Sequence, residues 1–144
     1  MTLCIMDLRL HHDASALEST NYFEFLPRGY EKTLWNDDSV YLYHEVVHLF
    51  DDLLAQHVPN YSHFSFSEAT GAQAHRFAED LTRFADQIER VSTACQCGIP
   101  HYHAEKMEHN WPSYRKELAS SLRELAQWIK RQVPEEGILS VLGM

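Results

Sequence analysis

The stretch TGAQAHRFAEDLTRFADQIERV, residues 70–91, sets the architecture of this chain. Within it Phe77, Leu81, Phe84, Ile88 and Val91 recur at alternating intervals of four and three, the period of a helix laid along another helix. Thr70 with Gln73 three residues later is a capping-box pair, so the helix is expected to start there. A partner of the same period lies downstream. From Pro112, a residue suited to a first turn, Tyr114, Leu118, Leu122, Leu125, Ile129 and Val133 share one face until Pro134 and Gly137 stop the run. The two seams are expected to bury each other.

A third long helix is expected upstream. Asp37, Asp38 and Ser39 offer N-caps and favourable negative charge, and Leu42, Val46, Leu49, Phe50 and Leu53 form an apolar stripe that runs to about His57 before Pro59-Asn60. His44, His48, Asp51 and Asp52 fall on the opposite face. The segments Thr2 to Leu10 and Asn21 to Leu26 are rich in β-formers and read as two short strands that pair. Residues 57–67 read as a turn and a short extended piece whose Tyr61, Phe64 and Phe66 pack inward, and Ile138 to Leu142 as a last short strand. The expected class is mainly α within α+β: three long helices with a small N-terminal β element, in one globular domain spanning 1–144.

Composition narrows the function. The chain has 144 residues, 44% of them hydrophobic and 23% charged, enough to bury a core without disulfides. Its net charge of −9 is concentrated in residues 1–70, which carry eleven acidic and three basic side chains. Nucleic-acid binding, which depends on Lys and Arg against phosphates, is not expected; a basic protein partner is. Asp37, Asp38, Asp51 and Asp52 are the expected partner-facing residues. No run of about eighteen apolar residues suggests a membrane span, and no secretory pattern opens the chain, so the expected location is cytoplasmic. Three cysteines, Cys4, Cys95 and Cys97, are expected to be reduced.

Two groups carry metal-binding residue types. Cys95, Cys97, His101 and His103 bring soft and borderline ligands into nine residues, at a spacing unlike common zinc modules, and read as an interhelical loop. His44-Glu45-Val46-Val47-His48 matches H-E-x-x-H, in which two imidazoles four residues apart on one helix face share a metal and the glutamate activates its water. Glu68, twenty residues after His48, stands where thermolysin-like peptidases, which the motif resembles, supply a third ligand. A chain with ten histidines produces such a spacing by chance about once in twenty. The leading expectation is therefore an exposed histidine pair and no cofactor. The alternative is a zinc-dependent hydrolase with His44, His48 and Glu68 as ligands and Glu45 as base.

Asp-Asp-Ser-Val-Tyr-Leu-Tyr-His-Glu from residue 37, followed by Pro-Asn-Tyr-Ser-His-Phe-Ser-Phe-Ser-Glu ending at Glu68, resembles small bacterial immunity proteins of toxin/immunity systems over residues 37–68. The resemblance implies a non-catalytic module that neutralises a cognate toxin by binding it, with a basic toxin domain as the partner.

Overall fold

The computed structural model describes residues 7–17, 19–91 and 110–143. Strands β1 (Tyr22–Leu26), β2 (Val40–Tyr43), β3 (Phe66–Thr70) and β4 (Ile138–Leu142) form one antiparallel sheet in the order β2-β1-β4-β3. Helices α1 (His44–His48), α2 (Asp51–His57), α3 (Gly71–Arg90) and α4 (Trp111–Gln132) complete the fold. The expected mainly helical class is corrected by these elements. The fold is α+β, its sheet draws strands from both ends and the middle of the chain, and three helices among the described residues reach seven residues or more.

The α3–α4 hairpin forms as its period requires. Thr70 Oγ1 accepts the Gln73 N–H at 3.1 Å while Gln73 Oε1 accepts the Thr70 N–H at 2.9 Å, a reciprocal cap at the start of α3. Trp111 Nε1 at the start of α4 donates to the Val91 carbonyl, and His75 Nε2 near the start of α3 lies 2.5 Å from the Val133 carbonyl. The two helices are therefore antiparallel. Phe77, Leu81 and Ile88 are fully buried with Leu118, Leu122 and Leu125, whereas Phe84 and Val91 sit half-buried at the margin of the seam. Gly71 opens α3 where a Cβ would overlap the Pro134 and Glu135 carbonyl oxygens, so only glycine allows this approach of α3 to the α4–β4 turn.

The expected helix over residues 37–57 is replaced by three elements. Val40 to Tyr43 pair with β1, and the Phe23↔Leu42 partners are both fully buried. Two β-branched or aromatic faces at once suit a strand covered on both sides, and that burial outweighs the weak helical period. The helix begins at His44, whose N–H donates to the Asn21 carbonyl at 2.9 Å. It breaks after five residues: Leu49 and Phe50 donate to carbonyls three residues back, and Phe50 leaves helical geometry at φ −126° and ψ 27° before α2 begins. The expected pairing of an N-terminal strand with β1 is likewise corrected. Residues 7–10 form no strand, and the segment touches the sheet through one bridge, His11 with Tyr41, while β1 is flanked by β2 and β4. The expected strand's residues 2–6 lie outside the described residues.

Alternation along the strands divides the sheet. Phe23, Phe25, Ala69, Leu139 and Val141 face the helices and are buried. Glu24, Phe66, Glu68 and Ser140 share the other face, which the loop from Pro27 to Ser39 crosses. Glu24 is buried and anchors that loop, accepting from Trp35 N at 2.7 Å, Asn36 N at 3.0 Å and Ser39 Oγ at 2.5 Å. Phe64 and Phe66, expected inside, are 80% and 46% exposed. No described helix is long and apolar enough to cross a membrane.

Leu81→Ala removes a fully buried side chain from the centre of the helix seam, and is expected to cost about 2–5 kcal/mol in urea unfolding. Phe84→Ala, at the half-buried margin, is expected to cost less than Leu81→Ala in the same measurement.

Candidate metal centre

Three imidazoles come together between the start of α1 and the segment that follows α2. His44 and His48 stand one turn apart on α1, and His63 arrives from the chain beyond Pro59-Asn60. Asn60 takes φ 57°, a left-handed turn that asparagine tolerates, and the chain reverses there. The returning residues lie back over α1 and α2. Gly143 holds them at the other side, its N–H donating to the Ser65 carbonyl at 3.1 Å, where a Cβ would overlap the His63 carbonyl oxygen.

One ring nitrogen from each of His44, His48 and His63 lies within 4.8 Å of the other two. The His48 and His63 rings stack at a centroid distance of 3.5 Å and 14° between planes; His44 stands 6.1 Å from each, edge on. Beneath them the His63 ring packs on Phe23 of β1 at 4.7 Å. Tetrahedral zinc, with Zn–N near 2.0–2.1 Å, spaces its nitrogens about 3.4 Å apart. The stacked His48 and His63 rings are already in face-to-face contact, so a shared ion requires them to rotate out of the stack until a nitrogen of each, in its own ring plane, points at it.

Asp51, in the first turn of α2, orients the group. Its Oδ2 lies 2.8 Å from His48 Nδ1, its Oδ1 accepts from Tyr61 Oη at 2.5 Å, and the same Oδ1 lies 3.6 Å from His63 Nδ1. A carboxylate on Nδ1 places the His48 proton there and leaves Nε2 as the lone pair that binds a cation, the carboxylate–histidine arrangement common behind zinc ligands. Burial, and then the Asp51 hydrogen bond, push the Tyr61 phenol up, so it remains a donor to Asp51 at neutral pH. His63 Nδ1 is buried with no hydrogen-bond partner among the described residues. Burial first, and then the neighbouring His48, push the His63 imidazole below its ordinary value, which favours the neutral form that a metal requires.

Glu68 does not join this group, so the alternative His44–His48–Glu68 ligand set does not come together here. Glu68 pairs in register with Ser140 on the outer face of the sheet, opposite the face on which Phe23 carries His63, and its Oε2 accepts the Tyr30 N–H at 3.2 Å. A period of two sends Glu68 away from the helices when Ala69 and Ser67 point toward them. Glu45, half-buried in the same turn as the histidines, is not one of the converging donors. The exposed-pair reading also missed His63, because nothing local marks a lone histidine fifteen residues after His48 as a ligand; the nearest signal was Pro59-Asn60, read as a helix stop and not as a reversal.

The four acidic candidates are divided between two places. Asp51 turns into the imidazole group and Asp52 is exposed beside it, while Asp37 and Asp38 line a shallow hollow with His12 and Arg131, Asp38 pairing with Arg28. The Cys95, Cys97, His101 and His103 group lies outside the described residues. No protein-family model matches this chain, and comparison with curated proteins and with solved structures gives no match.

A depressed imidazole makes stability depend on pH with a definite sign. With His63 below its ordinary value of 6.5 in the fold, the unfolded chain binds the proton first as pH falls. The metal-free protein is expected to lose stability as pH drops below about 6.5, and His63→Asn to flatten that slope in thermal unfolding followed across pH 5 to pH 8.

Proposed function

We propose that this chain is a metalloprotein that binds one zinc-class divalent cation through His44, His48 and His63. The observation that carries the reading is the convergence of three half-buried ring nitrogens within 4.8 Å from two separate segments of the chain. Three imidazoles bring no charge to the ion, and borderline nitrogen donors suit zinc over calcium or magnesium. Three protein ligands among the described residues are the donor set of a site with a coordination position left for water or substrate. The reaction class that fits is metal-assisted hydrolysis, with zinc acidifying a bound water when present and Glu45, in the H-E-x-x-H position, the base that the pattern implies.

Toxin neutralisation by direct binding is the second reading. It is supported by the surplus of acidic over basic side chains in residues 1–70 and by the exposed Phe64 and Phe66. On this reading Asp37, Asp38 and Asp52 are the exposed charges that steer a basic partner, and Asp51 belongs to the imidazole group.

Purified protein loaded with zinc and freed of excess is expected to retain about one equivalent per chain by elemental analysis. His63→Ala, like His44→Ala and His48→Ala, is expected to abolish retention, while Glu68→Ala leaves it intact. Glu45→Gln is expected to keep the metal and lose hydrolysis. Retention unaffected by His63→Ala would refute the three-imidazole centre.

A further inference from the structure

The outer edge of the sheet carries features that the imidazole centre does not use. β3 is the end strand, paired among the described residues with β4 alone, so one row of its backbone groups has no strand partner. Beside that edge lies a hollow of about 370 Å³, bounded by Pro59 and Asn60 on one flank, Tyr30 on the other, and Phe66, Ser67 and Glu68 of the strand itself. Its volume is within the range of ligand-binding clefts.

Two observations indicate what the hollow accepts. Glu68 is the one charged residue among the described residues lining it, and it is exposed. The Tyr30 and Phe66 rings meet at 4.9 Å and 68° beside that carboxylate, an aromatic wall of the kind that attracts a cation. Unpartnered strand backbone calls for an extended chain, and the lone carboxylate that lines the hollow with the paired rings calls for a positive side chain on it. A second copy of this chain fits poorly: pairing two β3 edges brings another Glu68, and another molecule of net charge −9, against the first.

We propose that the β3 edge docks an extended basic peptide segment of a partner protein, adding it to the sheet as a strand and seating a lysine or arginine side chain between Tyr30, Phe66 and Glu68. Main-chain hydrogen bonds to β3 hold the segment, and the Glu68 pocket selects its charge, the division of labour of strand-addition recognition. The site lies on the face of the sheet opposite His63 and does not depend on the metal.

The test uses the full chain and an acetylated, amidated pentapeptide of alternating valine and lysine, followed by amide chemical shifts. Saturable shifts are expected at Phe66–Thr70 and Tyr30. Glu68→Gln keeps an acceptor for the Tyr30 N–H and is expected to weaken binding about fivefold, as loss of one partly exposed ion pair does. Replacing the peptide's lysines with norleucine is expected to weaken wild-type binding similarly and to add little in the Glu68→Gln background. Circular dichroism confirms that the variant is folded, and Phe66→Ala provides a second, charge-preserving variant expected to weaken binding too. Absence of saturable shifts up to millimolar peptide overturns the proposal. So does equal binding by wild type and Glu68→Gln, or binding of lysine amide as tight as that of the peptide, which would make the hollow a small-cation site. Concentration-dependent shifts at β3 without peptide overturn it in favour of self-pairing.

Discussion

The pairing of β1 with β2 is the constraint on which the rest of the structure depends. Four residues, Val40–Tyr43, are taken from an apparent helix and set beside Tyr22–Phe25, and the fully buried Phe23↔Leu42 pair locks the register. A slip of one residue would turn Phe23 and Phe25 away from the helices, so the register is strongly specified. It fixes where the helix can start. His44 is the first residue beyond the strand, its N–H bonded to Asn21, and both α1 histidines are thereby held against the end of the sheet, where Phe23 also forms the floor under His63.

The short break between α1 and α2 follows from the same constraint. Val46, Val47, Leu49, Phe50 and Leu54 are all buried. Tightening at Leu49 and Phe50 redirects the chain so that Phe50 packs on Phe77 at 6.0 Å. It also places Asp51 at the start of α2, where negative charge is favoured, within reach of His48. One backbone adjustment therefore completes the core and aims the carboxylate that orients the imidazoles.

Electrostatics distinguish the two functional surfaces. At the imidazole group the nearest carboxylate, Asp51, is held by His48 and Tyr61. At the β3 edge the Glu68 carboxylate is exposed and lines the hollow together with the paired Tyr30 and Phe66 rings. Glu68, the third ligand of the alternative reading, lies on the outer face while His63 joins the imidazoles, because strand alternation sends one outward and a chain reversal folds the other inward.

The sequence by itself determined the elements whose signals are local and periodic. The α3 seam with its Thr70–Gln73 cap, the α4 seam opening at Pro112, and β1 and β4 all appear where their residues predict, because cap chemistry and periods of two or 3.6 act over a few neighbours. The H-E-x-x-H pair was legible for the same reason. Only tertiary structure decided that Val40–Tyr43 would be a strand, since a four-residue apolar run satisfies either period until a partner such as β1 is present to bury it. The third imidazole was also a tertiary matter. Its place depends on the left-handed turn at Asn60, on the close approach that Gly143 permits, and on the packing of Phe23, three contacts between residues far apart in the chain whose spacing carries no period.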